Sequence, residues 1–286
     1  MRAAKGAGRI NAAPGERRNA SALAVERAAE VLLLLGQENE GSLSVSELAR
    51  STKASGSAVH RILTALKRKQ LIDQDPETQR YFLSWRMMAL AQGLTARADL
   101  RSISHPYMTR LRDLTNETVT LSVRSGSERL VIEQVESLHE IRWVASIGRL
   151  SPLHSGVTGV VLLAHAPQRE VDAYLRGLAR MRRSDPTAPS RDDVEQAVRR
   201  VRQYGYALAQ PRRFYNIDAV SAPIFGHNGG ASAALTIAGP AERCTDEKLE
   251  GWVPDLLHAT GEISTILSRQ GIVAPGTVSD GEQKAG

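Results

Sequence analysis

The sequence predicts an α+β protein with two domains. Three observations predict it: the chain has 286 residues, its first third carries three helix-like patterns followed by a short hairpin, and strand-like runs become frequent only after Thr118. Because those runs lie close together in sequence, antiparallel pairing is favoured. We therefore expect a small helical N-terminal domain and a larger C-terminal domain whose antiparallel sheet has flanking helices.

Apolar residues at helical spacing predict three N-terminal helices. The first begins with Ser21 as its N-cap and ends at Gly36, and the second is short. The third carries one buried stripe with the i, i+3, i+4, i+7 pattern, formed by Val59, Ile62, Leu63 and Leu66. Strand-like runs at 71–74 and 79–83 flank the turn-forming residues 75–78. They predict a two-stranded hairpin after the third helix.

Domain boundaries follow from these patterns. We expect a disordered basic tail over 1–20, a first domain over 21–84, a linker helix over 85–101, a second domain over 102–270 and a disordered tail over 271–286. Predicted strands of the second domain are 118–124, 129–135, 140–147, 205–209, 218–225 and 231–238. Its predicted helices are 158–165, 169–178, 191–203 and a last one capped by Thr245, while Pro106 is expected to separate or begin a helix.

Positive charge is concentrated in the N-terminal third. The whole chain has 37 Lys and Arg against 31 Asp and Glu, which is a modest excess. In contrast, the segment 53–69 has no acidic residue and contains Lys53, Arg61, Lys67, Arg68 and Lys69. Such a segment suits a polyanionic partner.

Several classes of protein are excluded by composition. The longest apolar runs, 31–35 and 160–164, are far shorter than the ~20 residues that a membrane-spanning helix needs. No apolar segment follows the basic N-terminus, so we expect a cytoplasmic protein. The single Cys244 cannot close an intrachain disulfide. The spacing of the histidines fits no common metal site, so we expect neither metal nor cofactor.

The third helix has the chemistry of a helix that enters the major groove of DNA. Three helices and a hairpin form the arrangement in which such a recognition helix is presented. We predict that its DNA-contacting residues are Ser57, His60, Arg61, Thr64, Lys67 and Arg68. Arginine can bind guanine with two hydrogen bonds, whereas the lysines neutralise phosphates. The alternative is an ordinary basic surface helix.

Several blocks of sequence, in order, resemble the IclR-type bacterial transcriptional regulators. The N-terminal blocks are 44–49, 57–63 and 80–83, and the C-terminal blocks are 116–121, 134–137, 147–154, 221–225 and 235–240. This resemblance covers roughly residues 20–270. It implies a winged helix-turn-helix domain, a linker helix and a GAF-like effector-binding domain. It further implies a homodimer or homotetramer, which would bind double-stranded DNA at a pseudo-palindromic operator.

The same resemblance implies a site for a small-molecule effector in the second domain. By position, its residues are Arg142, Trp143, Val157, Thr158, Ile217 and Ala219. Arg142, Arg212 and Arg213 could bind a carboxylate, which predicts an acidic metabolite. The alternatives are that the arginines are solvated and that the second domain only oligomerises. A small-molecule hydrolase is less favoured because the sequence has no Gly-x-Ser-x-Gly elbow or phosphate-binding loop.

Overall fold

A computed structural model describes residues 14–37, 41–95, 100–184, 188–209 and 216–272. The chain forms two compact units, which part between Gly93 and Leu94. Within the described residues, no helix is long and apolar enough to span a bilayer.

The first unit contains three helices, a hairpin and a fourth helix. Its elements are α1 (Pro14–Gln37), α2 (Val45–Ser51), α3 (Gly56–Arg68), β1 (Ile72–Gln74), β2 (Tyr81–Leu83) and α4 (Arg86–Thr95). The strands β1 and β2 are antiparallel, as the hairpin prediction required. The apolar stripe of α3 is buried in a core that also contains Val31, Leu48 and Ile72.

Polar caps fix the beginnings of α2 and α3. Ser44 and Glu47 form a reciprocal capping box at α2, and Ser55 accepts a hydrogen bond from the backbone N–H of Ala58 at α3. The hydrogen bonds from Ser44, with a smaller effect of Arg80, lower the pKa of Glu47. Arg80 also lies 3.1 Å from the Glu47 carboxylate, which connects α2 to the second strand of the hairpin.

The second unit is built on a six-stranded antiparallel sheet in the order β5-β4-β3-β8-β7-β6. Its strands are β3 (Thr118–Ser125), β4 (Glu128–Val135), β5 (Leu150–Pro152), β6 (Ala207–Leu208), β7 (Ile217–Phe225) and β8 (Ala231–Pro240). Its helices are α5 (Leu100–Thr115), α6 (Gly156–Ala164), α7 (Gln168–Ser184), α8 (Arg191–Tyr204) and α9 (Asp246–Arg269).

The two faces of this sheet pack against different helices. Val119, Leu121 and Val220 point to the face covered by α5 and α9, where they form the larger core. The opposite face packs against α6, which forms a second core with α7 and α8. This α+β arrangement confirms the fold class that the sequence predicts.

One prediction at the N-terminal side of the chain is wrong, and another stays untested. Helix α1 begins at Pro14 rather than at Ser21, so residues 14–20 are helical where a disordered tail was expected. Proline is favoured in the first turn of a helix, and this segment is rich in helix-forming residues. The predicted linker helix 85–101 stays a prediction, because residues 96–99, between the described parts of α4 (to Thr95) and α5 (from Leu100), lie outside the described residues. The rest of both predicted tails, apart from 271–272, lies outside the described residues.

Two predictions in the second unit are also corrected, and the cap predicted for the last helix is confirmed in position. The expected strand 140–147 is irregular, because side chains rather than a neighbouring strand bind its backbone; the short β5 pairs with β4 instead. Pro106 lies inside α5, where buried Leu100 and Met108 hold the helix on both sides of it. Thr245 is the N-cap of α9, but its side chain makes no capping hydrogen bond.

Candidate functional site

The outer face of α3 carries the predicted DNA-contacting residues. Every one of them is solvent-exposed: Ser57, His60, Arg61, Thr64, Lys67 and Arg68. Val59, Leu63 and Leu66 lie buried on the opposite side, so the apolar stripe and the polar face point in opposite directions. The helix is therefore held by its inner face and leaves its basic face open within its unit.

The cations on this face differ in their partners. In the described part of the chain, the guanidinium groups of Arg61 and Arg68 make no hydrogen bond or ion pair to protein groups. Lys67 Nζ donates a 3.0 Å hydrogen bond to Gln74 Oε1, and Gln74 Nε2 donates to Gln79 Oε1 at 2.9 Å. Lys67 thus connects α3 to the hairpin, while the two arginines are available to a ligand.

Hydroxyl groups on α3 are partly engaged by the helix itself. Thr64 Oγ1 donates to the carbonyl of His60 at 2.8 Å, and Ser57 Oγ lies 3.2 Å from Ser55 Oγ. The hairpin tip contains two acidic residues, Asp75 and Glu77. Asp75 accepts backbone hydrogen bonds from Thr78 and Glu77, and these lower the pKa of Asp75. Positive charge in this unit is therefore concentrated on α3 and not on the hairpin tip.

In the second unit, the sheet face that packs against α6 carries hydroxyl side chains. Cross-strand pairs place Thr120 beside Thr236, and Thr236 beside Ser221. Thr158, on the first turn of α6, is only 6% exposed, and its Oγ1 lies 2.8 Å from Thr236 Oγ1. We call Thr158, Thr236 and Ser221 the hydroxyl cluster.

The hydrogen bonds of the hydroxyl cluster run in one direction. Ser221 donates to the carbonyl of Leu235 at 3.0 Å, and Thr236 donates to Ser221 at 2.9 Å. Because each hydroxyl has a single hydrogen to donate, Thr158 must donate to Thr236. The Thr158 oxygen therefore keeps acceptor capacity toward anything that reaches it.

The other predicted effector residues surround this cluster on three elements. Ala219 pairs with Ala238, and Ala238 pairs with Thr118, whose Oγ1 donates to the backbone carbonyl of Trp143. Ile217 lies two residues before Ala219 on β7 and so shares its face. Val157, half-buried, precedes Thr158 in the first turn of α6. The α6 N-cap Ser155 makes no side-chain capping bond, which leaves the first N–H groups of α6 without that partner.

Arg142 is engaged differently from what the sequence suggested. Its Nε lies 2.8 Å from Glu136 Oε2, and its side chain is exposed. A ligand carboxylate would have to replace Glu136 to use this charge. The structure thus brings Trp143, Val157, Thr158, Ile217 and Ala219 to one region, while Arg142 is paired at the surface. Arg212 and Arg213, which the sequence also offered, lie outside the described residues.

A buried ion pair anchors the irregular segment that contains Trp143. Glu117, only 2% exposed, accepts two hydrogen bonds from Arg243 at 2.7 and 3.1 Å, and Arg243 also donates to the carbonyl of Ile141. A Cβ on Gly239 would collide with the Glu117 carboxylate, so a larger residue there would force the carboxylate to move. The ion pair fixes the segment against the ends of β3 and β8.

Sequence reasoning missed the hydroxyl cluster beyond Thr158 and the Glu117–Arg243 pair. A signal for the first was present: hydroxyl residues alternate with apolar residues along β3, although both faces of that strand are buried. Such alternation in a strand that is covered on both sides indicates a polar lining inside the protein. The ion pair joins residues 126 positions apart and leaves no local pattern.

Comparison with known families identifies the family of both units. A profile described as bacterial transcriptional regulator IclR C-terminal matches residues 92–265, and one described as IclR helix-turn-helix domain matches residues 24–76. The chain belongs to the IclR family of bacterial transcriptional regulators. It is accordingly a DNA-binding transcriptional regulator with a C-terminal effector-binding domain.

Named relatives of this IclR-family chain are also regulators and not enzymes. The HTH-type transcriptional regulator KdgR of Escherichia coli is 29% identical over 82% of this chain and 88% of its own length. BhcR of Paracoccus denitrificans, another HTH-type transcriptional regulator, is 28% identical over 84% of this chain and 86% of its own. The hydrolase alternative therefore has no support among them.

Solved structures of similar fold include IclR of Thermotoga maritima. It is 27% identical, with a TM-score of 0.60, over 85% of this chain and 98% of its own. A homologue from Microbacterium hydrocarbonoxydans, crystallised with 4-hydroxybenzoate, has a TM-score of 0.68 at 20% identity over 86% of this chain and 99% of its own. At that identity the likeness concerns the fold.

Proposed function

We propose that the exposed face of α3 reads operator DNA through Arg61, with support from the neighbouring polar and basic residues of the predicted set. The observation that carries this proposal is the unpaired Arg61 guanidinium on the exposed face, directly opposite the buried stripe. Arg61 is suited to a guanine, whereas Lys67 and Arg68 are suited to phosphates. Ser57, His60 and Thr64 complete the contact surface.

A titration of DNA affinity against salt tests the electrostatic part of this proposal. Each phosphate neutralised by a cation releases counterions, so the logarithm of the binding constant should fall linearly with the logarithm of salt concentration. In the Lys67→Ala variant, we expect the slope of the logarithm of the binding constant against the logarithm of salt concentration to be shallower by about 1 for each protomer bound to DNA. A slope that is flat in the parent protein would show that α3 is only a solvated basic helix.

For the second unit we propose a small effector that binds beside the hydroxyl cluster, with its carboxylate at the first N–H groups of α6 and a hydrogen-bond donor at the Thr158 oxygen. The observation that carries it is the buried row of hydroxyls beneath the start of α6, next to helix N–H groups that lack a side-chain cap. Helix N-termini attract anions, so the effector carboxylate is assigned to this end of α6. Trp143, Val157, Ile217 and Ala219 provide apolar surroundings, as ligand pockets require.

The substitution Thr158→Trp tests this effector site. Its bulk should fill the space at the hydroxyl cluster and abolish the response to a ligand, while DNA affinity remains. Thr265→Trp, on an exposed turn of α9, is the matched control. Carboxylic acids, including 4-hydroxybenzoate, can be screened by thermal shift, since binding to the native state raises stability by mass action.

The alternative is a second unit that only oligomerises. In that case no acid in the screen would stabilise the protein, and Thr158→Trp would leave regulation unchanged. Our proposal further includes a homodimer or homotetramer that reads a pseudo-palindromic operator, with half-sites about one helical turn apart or a multiple of that. Such a regulator would act in the cytoplasm, where its DNA lies.

A further inference from the structure

Two unpartnered polar atoms lie near each other on the sheet face that also carries the hydroxyl cluster. Among the described residues, Arg129 Nε and Ser122 Oγ are buried from solvent without a hydrogen-bond partner. Cross-strand register pairs Arg124 with Arg129 and Ser122 with Val131, so Ser122 and Arg129 are diagonal neighbours on one face. Buried polar atoms without partners cost free energy, and two together indicate a missing acceptor.

The charges around this position are unbalanced. Arg124 has the Glu170 carboxylate at 2.6 Å, but in the described residues the Arg129 guanidinium has no ion pair within hydrogen-bonding range. Arg149 lies close to it, because Arg129 pairs with Ser151 across β4 and β5, and Val131 N–H donates to the carbonyl of Arg149. Burial, with the charge of Arg149 as the lesser cause, lowers the pKa of Arg129.

We propose that Arg129, Arg149 and Ser122 form a binding site for a small oxyanion, either a carboxylate or a phosphate group. An oxyanion can accept hydrogen bonds from both guanidinium groups and from the serine hydroxyl, and so satisfies Arg129 Nε and Ser122 Oγ together. A buried water could accept from Ser122 or Arg129, but it would leave two neighbouring positive charges without a counter-charge. This site is independent of the proposed effector site.

The position of the two arginines separates this site from the hydroxyl cluster, although Ser122 shares a sheet face with Thr120, two residues before it. Arg129 lies at the end of β4 next to the turn at Gly126, whereas Thr158 and Thr236 face Thr120, nearer the other end of β3. A ligand at one site therefore need not touch the other. The two sites can be tested separately in the same full-length protein.

Thermal unfolding of the full chain in inorganic phosphate, at constant ionic strength adjusted with sodium chloride, tests the proposal. We expect a saturable rise in Tm with phosphate in the parent protein, and loss of that rise in Arg129→Met. Arg176→Met, which removes an exposed arginine of α7, is the matched control and should keep it.

A second arm compares phosphate with succinate. The anion with the larger saturable rise identifies the preferred group, and a rise with neither would overturn the proposal in favour of bound water. Because Arg149 is exposed, Arg149→Gln should fold normally, and calorimetry should show at least a threefold weaker affinity for the anion. Equal affinity in Arg149→Gln and the parent, or an undiminished response in Arg129→Met, would also overturn it.

Discussion

Replacement of Arg61 by alanine offers a direct test of how this regulator reads DNA. The guanidinium is exposed and unpaired within the described unit, so its removal breaks no intramolecular bond. We therefore expect the free energy of unfolding to change by less than about 0.5 kcal/mol. Any loss of DNA affinity can then be assigned to the interface and not to the fold.

The expected loss follows from one lost arginine–base contact in each half-site. Such a contact contributes about 1–3 kcal/mol, so a dimer that uses both half-sites should lose about 2–6 kcal/mol. Since about 1.4 kcal/mol corresponds to tenfold, affinity for the operator should fall by roughly thirtyfold or more. Affinity for an unrelated duplex should fall much less, because the phosphate contacts remain.

Fluorescence anisotropy with a duplex selected from a random library would measure this loss. Arg176→Ala, on an exposed turn of the second unit, is the matched control with the same change of charge. Equal loss on selected and unrelated duplexes would place Arg61 on the phosphate backbone. Unchanged affinity on both would refute its assignment to the interface altogether.

Three further predictions concern the second unit. Gly239→Ala should lower the free energy of unfolding by about 1–3 kcal/mol in urea titrations, because its methyl group would collide with Glu117, whereas Gly177→Ala in an open position should cost nothing. Burial lowers the pKa of His165 below 6.5. The unfolded state therefore takes up more protons than the native state as pH falls below about 6.5, and the free energy of unfolding declines there. His165→Gln should flatten this decline, and an unaltered pH profile would contradict the prediction. Burial raises the pKa of Cys244 to about 12, so a thiol reagent at pH 8 should label the native protein no faster than it unfolds.

Local patterns predicted those parts of the molecule that neighbouring residues determine. The stripe of Val59 and Leu63 fixed both the extent of α3 and the exposure of Arg61, because helical periodicity alone decides which side faces the core. The same reasoning from local sequence pattern gave a wrong prediction for the segment 140–147. Its alternating residues fit a strand, yet side-chain hydrogen bonds from Thr118 and Gln134 bind its backbone instead.

Contacts between distant residues were beyond sequence reasoning. Thr158 was placed in the effector site by family resemblance, but its partner Thr236 lies 78 positions away, and only the register of β8 brings the two hydroxyls together. The same is true of Ser122 and Arg129, which become neighbours through a register shift between Leu121 and Ser122. Residue types alone carry no information about such a shift.

The one-way order of hydrogens in the hydroxyl cluster has a consequence for chemical selectivity. Because the Thr158 hydroxyl donates its hydrogen to Thr236, the Thr158 oxygen can only accept a hydrogen bond from a ligand. A ligand with an alcohol, phenol or amine beside Thr158 can donate this hydrogen bond. The methyl ether of such an alcohol or phenol should bind more weakly, because the hydrogen bond is lost and the methyl group adds bulk. Paired analogues that differ by this one methyl group would therefore rank in a fixed order of affinity.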